Sequence, residues 1–222
     1  MPIVAEDTKI RIDKVVLGPY ATNTYAIINK DTCESVLVDA PDEPEKIMEL
    51  LSGTSPRYIF ITHAHMDHTG ALQDVVRNIW VDYGQDKEPI CVGANLADMP
   101  KIPMACHMRL VDGEYVRLGN TRIHIIGTPG HTPGSICLRV NTFLIAGDTI
   151  FPGGPGHTNS PEAFAEIIKS ITEKILTLPD HVSIFPGHGE ATTVGKAKEE
   201  YAVFASHPHN QPLCGDVEWL KS

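Results

Sequence analysis

The chain is missing the marks of several classes of protein. No run approaches the ~18 consecutive apolar residues of a membrane-spanning helix. Residues 1–13 carry acidic side chains near their start and no apolar stretch, so no secretory leader is expected. Cations are outnumbered: 18 Lys and Arg stand against 28 Asp and Glu, a net charge of −10. Such a chain lacks the positive field that draws a phosphate backbone or an anionic bilayer. Neither nucleic acid nor a membrane is therefore expected as a partner. Cys-x-x-Cys pairs are absent as well. The five cysteines, Cys33, Cys91, Cys106, Cys137 and Cys214, are odd in number and scattered. That pattern suits reduced thiols in a cytoplasmic protein rather than a disulfide framework or a thiolate metal site.

What is present fits a folded domain. Of the 222 residues, 42% are hydrophobic and 21% charged. A chain of this size can bury roughly 70% of its unfolded surface, enough for a core without staples. Histidine stands out at 11 residues, beside the 28 carboxylates. These are the residue types that ligate metals, although composition does not say whether they converge.

Apolar patterning places the elements. Lys9–Leu17, Thr24–Ile28 and Ser35–Val38 read as strands of an antiparallel meander, with a turn at Asn29–Asp31. Pro44–Leu51 reads as a helix with Ile47, Leu50 and Leu51 on one face and Gly53 as its stop. Arg57–Thr62 is a buried strand, a helix runs from Asp67 or His68 to about Asn78, and Pro89–Val92 is a short strand. The Met- and Pro-rich stretch from Asn95 to Cys106 has no period and reads as loop or short helix. Strands follow at Tyr115–Leu118, Thr121–Ile126, Ser135–Val140 and Thr142–Ala146. Pro161–Leu178 is the clearest helix, capped by Ser160, and Val182–Phe185 and Gly195–Ala205 give a last strand and helix. Strands then helices occur twice, which fits two sheets with helices outside in one domain over residues 1–205. The tail 206–222, with Trp219 and Leu220 near its end, is expected to pack on that domain or on a partner.

The stretch Thr62-His63-Ala64-His65-Met66-Asp67-His68-Thr69-Gly70 concentrates three histidines and an aspartate directly after an apolar strand. His63 and His65 share a parity and point the same way in extended backbone. Three further loops each follow a strand with a small residue and a potential ligand: His131 in Gly-Thr-Pro-Gly-His-Thr-Pro-Gly, Asp148 in Ala-Gly-Asp-Thr, and His188 in Pro-Gly-His-Gly. Small residues let the backbone come close and aim one side chain.

This succession, from about Lys9 to Ala205, resembles the metallo-β-lactamase superfamily of hydrolases. The resemblance implies an α/β fold, a four-layer αββα sandwich with a two-metal site at one edge of its sheets. It implies that His63, His65 and His131 hold one metal, that Asp67, His68 and His188 hold the other, and that Asp148 bridges them. Two divalent transition-metal ions are expected, zinc first, with iron or manganese as alternatives. The resemblance also implies that Asp67 and Asp148 carry the catalytic roles. Asp39, in Val-Asp-Ala-Pro, matches the aspartate that orders the metal-binding loop.

Within the superfamily the motifs look closest to glyoxalase II-like thioesterases. That resemblance implies hydrolysis of a thioester or ester of a small acyl substrate by a metal-bridging hydroxide. His157, in the Gly-rich loop after Gly-Asp-Thr-Ile-Phe, is expected to contact substrate. After His188 the basic residues are only Lys196, Lys198 and Lys221, and the loop following Phe151 carries no arginine. Both departures leave few cations for glutathione's carboxylates. A lactonase or carboxylesterase, a β-lactamase-type amide hydrolase and a mono-iron persulfide dioxygenase are the rivals. The protein is expected as a monomer or homodimer.

Overall fold

Strands with apolar side chains on both faces must be covered on both sides, and that requirement sets the architecture. The computed structural model describes residues 2–83, 90–209 and 211–221. In chain order, β1 (Ile3–Glu6), β2 (Ile10–Leu17), β3 (Thr22–Asn29) and β4 (Glu34–Val38) lead to α1 (Pro44–Leu51) and β5 (Ser55–Phe60). The short α2 (Met66–Thr69) and α3 (Leu72–Tyr83) follow, then β6 (Cys91–Ala94) and β7 (Met108–Arg109). Next come β8 (Tyr115–Leu118), β9 (Thr121–Gly127), β10 (Ile136–Val140), β11 (Phe143–Gly147), β12 (Ile150–Phe151) and β13 (Gly154–Pro155). The chain continues through α4 (Pro161–Ser170), β14 (Ser183–Pro186), β15 (Thr192–Thr193) and α5 (Val194–Ala205).

One seven-stranded sheet runs β1-β2-β3-β4-β5-β6-β7, and a six-stranded sheet runs β15-β14-β11-β10-β9-β8. The first is antiparallel from β1 to β4 and parallel from β4 to β7. Alternation along single strands divides the core into three clusters. Tyr25 and Ile27 of β3 pack with Ile136, Leu138 and Phe185 between the sheets. Ala26 and Ile28 of the same strand face Ile47 and Leu51 of α1 and Leu72 and Val75 of α3. On the far side, Leu144 and Ala146 of β11 meet Phe164 and Ile167 of α4 and Ala197 of α5. Helix, sheet, sheet and helix are thus stacked as αββα layers, each apolar face buried against the next.

The sequence-based expectations for α1, β8 and the β2–β3–β4 meander match this order. Ser160 caps α4 by accepting a hydrogen bond from the Ala163 N–H. Four expectations need correction. The helix anticipated after Asp67 is two helices, because the Ala71 N–H bonds to the Ala40 carbonyl at 2.9 Å and leaves the helical ladder. The helix anticipated over Pro161–Leu178 stops at Ser170 and continues as a π-helical turn, Ile171–Ile175, which keeps both terminal isoleucines fully buried. The strand expected to reach Thr62 ends at Phe60, since the Thr62 N–H is taken by the Asp39 carboxylate. The strand expected at Pro89–Val92 is β6, shifted to Cys91–Ala94; Pro89 lies outside the described residues. All five cysteines are free. Among the described residues no helix is long and apolar enough to cross a membrane.

Candidate metal centre

Four segments meet at one edge of the two sheets, each following the end of a strand. The loop after β5 carries His63 and His65, and α2 carries Asp67 and His68. His131, Asp148 and His188 follow β9, β11 and β14. Close approach depends on glycine here: a Cβ at Gly187 would stand 2.0 Å from Asp148 Oδ1.

The structure brings the seven residues together. His63 Nε2 and His65 Nδ1 are 3.0 Å apart, and each lies within 3.3 Å of His131 Nε2. On the other side, His188 Nε2 is 3.4 Å from His68 Nε2 and 3.3 Å from Asp67 Oδ2. Asp148 lies between these groups, with Oδ2 at 3.6 Å from His131 Nε2 and 3.5 Å from His188 Nε2. Donors bound tetrahedrally at ~2.0–2.1 Å stand about 3.3 Å from one another, so this spacing fits ion-binding sets. Three sets of three donors, His63–His65–His131, His63–His68–Asp148 and Asp67–His68–His188, each fall within 4.8 Å. Asp148 Oδ1 is buried and makes no hydrogen bond among the described residues, which a cation would remedy.

Ring orientation supports the same reading. His131 Nδ1 donates to the His157 carbonyl at 2.8 Å, and His188 Nδ1 to the Tyr20 carbonyl at 3.0 Å. His68 Nδ1 donates to Asp39 Oδ2 at 2.7 Å. Each bond places the proton on Nδ1 and leaves the Nε2 lone pair facing the cluster, the tautomer a metal ligand needs.

The local field is uneven, anionic around His68 and His188 and not around His63 and His65. Burial pulls the His68 imidazole down, but Asp39 and Asp148 outweigh it and push it up to about 10. His188 is likewise raised to about 10 by the facing carboxylates of Asp148 and Asp67. Burial pushes the Asp148 carboxyl up, yet His188 and His68 hold it well below the usual carboxylate range. Asp67 is lowered by His188 against the effect of burial. Burial and the neighbouring imidazoles hold His63 well below the ordinary histidine value, and His65 below it. The carboxylates of Asp67 and Asp148 therefore favour positive charge on their side of the cluster, which divalent ions would supply.

Asp39 sits beneath the cluster in a left-handed conformation, φ 62°. Its Oδ1 accepts from the Thr62 N–H and its Oδ2 from the Thr62 hydroxyl, both at 2.8 Å, beside the bond to His68. Asp98 was missed by sequence reasoning. It is buried, and it accepts from Ala64 N at 2.9 Å, Thr132 Oγ1 at 2.7 Å and Gly134 N at 2.9 Å. It thereby ties the His63–His65 loop to the His131 loop. Its one sequence signal is that it is the sole carboxylate between Asn95 and Cys106. Asn23 was also missed; its Nδ2 bonds the carbonyls of Pro186 and Gly189 at 2.9 Å, bracketing His188.

A cavity of about 370 Å³ opens on His131, Asp148 and His188, walled by Phe151, His157 and Asp216. His157 is thus at the cluster's mouth, its Nδ1 2.9 Å from Asp216 Oδ1. A second cavity of about 260 Å³, with Leu17, Tyr20 and Met66 in its lining, opens on Asp67. The larger hollow of about 810 Å³ between Arg122, Arg139 and Lys174 contains none of the seven residues.

Comparison with known proteins agrees with the fold. Residues 17–188 match the family model described as the metallo-beta-lactamase superfamily. The "Probable metallo-hydrolase YqgX" of Bacillus subtilis is 35% identical over 196 residues, 82% of this chain and 91% of that protein. The "Hydroxyacylglutathione hydrolase GloC" of Haemophilus influenzae is 30% identical over 187 residues, 78% of this chain and 88% of that protein. The crystal structure of TTHA1623 in a di-iron-bound form superposes with a TM-score of 0.69 at 28% identity, over 84% of this chain and 96% of that one. Matched by that family model over residues 17–188 and 35% identical to one relative, the chain belongs to the metallo-β-lactamase superfamily.

Proposed function

We propose that the protein is a dinuclear metal-dependent hydrolase that cleaves a thioester or ester of a small acyl substrate. The observation that carries this reading is the shared carboxylate. Asp148 Oδ2 stands 3.6 Å from His131 Nε2 of one donor set and 3.5 Å from His188 Nε2 of the other. His63, His65 and His131 would hold one divalent ion, Asp67, His68 and His188 the second, and Asp148 both. Ions held there supply Lewis acidity and bring the pKa of a bound water toward neutrality.

The chain's own residues prepare the rest. Asp67 is held ionised beside His188, 3.3 Å away, so it offers an acceptor for a water proton at the cluster. His157 and Phe151 wall one side of the approach, and Phe151 lies nearly parallel to the His188 ring at 6.4 Å. Leu17, Tyr20 and Met66 give the other cavity an apolar lining suited to a small acyl group. A thiol departs readily as thiolate because its pKa is ~8.5, so the site needs no strong general acid. The relationship to the Haemophilus influenzae protein supports the thioester class.

The test is a hydrolysis panel on protein loaded with zinc, iron or manganese. It compares lactoylglutathione, a neutral acyl thioester, aryl esters, lactones, a cephalosporin and a phosphodiester, alongside elemental analysis. Thioesters or esters are expected to turn over fastest, with about two ions bound per chain. One iron per chain, with oxygen consumed on adding glutathione persulfide, would overturn the reading.

A further inference from the structure

We propose that residues 211–221 form a strap that sets the imidazole of His131, with Trp219 and Asp216 as positioning residues. The proposal rests on the two-ion reading above and adds to it a part of the chain that carries none of the motifs.

The strap is anchored by one ring. Trp219 is fully buried, its ring 5.3 Å from Tyr201 and 6.4 Å from Phe204 of α5. Its Nε1 is buried with no hydrogen-bond partner among the described residues, so the anchor is the apolar ring and not the indole N–H. Leu220, next in sequence, is exposed.

From this anchor the strap grips the Gly-rich loop at both ends. The Trp219 N–H donates to the Gly153 carbonyl at 2.8 Å. Gly215 and Thr158 exchange two main-chain bonds, at 2.7 and 3.2 Å. Between these ties the fit is close, since a Cβ on Gly154 would lie 2.4 Å from the Val217 carbonyl oxygen. The Gly153 N–H is also held, by Glu200 Oε2 at 2.8 Å.

The gripped loop ends on His157, which faces two ways. Its ring is paired with Asp216 of the strap at 2.9 Å, and its carbonyl accepts from His131 Nδ1 at 2.8 Å. That carbonyl fixes the tautomer and plane of the His131 ring. The chain of contacts therefore runs from Trp219 through Gly153–His157 to one ligand of one ion. In the other donor set the ring nitrogens are held by bonds outside the strap, His68 by Asp39 and His188 by the Tyr20 carbonyl.

The two ions should therefore respond unequally when the strap is loosened. Zinc affinity is measured by competition with a chromophoric chelator, with elemental analysis after dialysis and a melting curve for each protein. Trp219→Ala is expected to weaken one zinc by about 10–100-fold and leave the other within about twofold. Gly154→Ala separates loop from strap without touching the aromatic anchor and is expected to give the same split. Trp219→Phe keeps an apolar ring and restores both ions. Unchanged affinity in both Trp219→Ala and Gly154→Ala overturns the proposal. So does equal loss of both ions in step with a lower melting temperature, which is what a merely structural role predicts. A wild-type chain holding a single zinc overturns the two-ion reading and the proposal with it, whereas two zincs bound alike in wild type and variants overturn the proposal alone.

Discussion

Asp39 Oδ2 lies 2.7 Å from His68 Nδ1, and both side chains are buried. Because Asp39 also takes both Thr62 donors, one carboxylate fixes the end of β5 and the tautomer of a histidine two loops away. Asp39→Asn keeps the size but turns one acceptor into a donor. The amide N–H then faces either His68 Nδ1 and the Thr62 hydroxyl together or, flipped, the Thr62 backbone N–H. Zinc affinity is expected to fall about 10–100-fold, read by chelator competition. Urea unfolding should show a loss of about 1–3 kcal/mol from the unmatched buried donors.

Asp98→Ala removes three hydrogen bonds between the two histidine-bearing loops. The Ala64 and Gly134 amides lose their acceptor inside the protein. A destabilisation of about 3 kcal/mol is expected in urea unfolding, with kcat/KM falling although, among the described residues, Asp98 hydrogen-bonds to none of the seven clustered side chains.

Asp148→Ala deletes the carboxylate between the two donor sets. Turnover of the best substrate in the panel is expected to drop by at least about 10²–10³-fold, and bound metal by elemental analysis to fall below two ions per chain. Circular dichroism should be unchanged, since Asp148 belongs to none of the three hydrophobic clusters.

Thiol chemistry separates the cysteines by burial. Cys33 and Cys214 are exposed, whereas complete burial raises the Cys137 thiol to about 11. An aromatic disulfide reagent at pH 8 should label the two exposed thiols rapidly. Cys137 should react only at the rate of unfolding, because the thiolate is the nucleophile.

Asp112 predicts a feature of the acid limb of stability. Burial pushes its carboxyl up, but Lys174 Nζ at 2.6 Å and the Gly127 N–H at 2.8 Å hold it below the usual value. A carboxyl lowered on folding stabilises the protein above its unfolded pKa of ~3.9 and loses that contribution as pH falls through the folded value. Melting temperatures of Asp112→Asn should therefore depend less on pH below about 4 than those of wild type.

Strong local patterns were legible without coordinates. The continuous apolar or β-branched runs of β3, β10 and β11 follow from strands covered on both faces, and the one-sided stripe of α1 from side chains that share one face of a helix. The short strands β1, β7, β12, β13 and β15, two to four residues each, carry too little pattern, and their partners supply the bonds that define them. The break between α2 and α3 was hidden for a related reason: the carbonyl that captures the Ala71 N–H belongs to Ala40, far back in the chain.

At the cluster the same division holds. Three histidines and an aspartate packed behind one strand, with His131, Asp148 and His188 each behind another, marked from sequence alone the loops whose side chains converge, because strand ends are where short loops can aim side chains. Only the tertiary structure decided how those side chains are held. Asp98 reads as one carboxylate in a Met- and Pro-rich stretch, yet it joins two loops 34 to 36 residues away. Trp219 reads as an apolar residue near the chain's end, yet it anchors the loop that orients His131. Both roles depend on hydrogen bonds and burial between distant segments. Such contacts leave no periodic trace in the chain, since they are specified by where the two sheets bring the segments together.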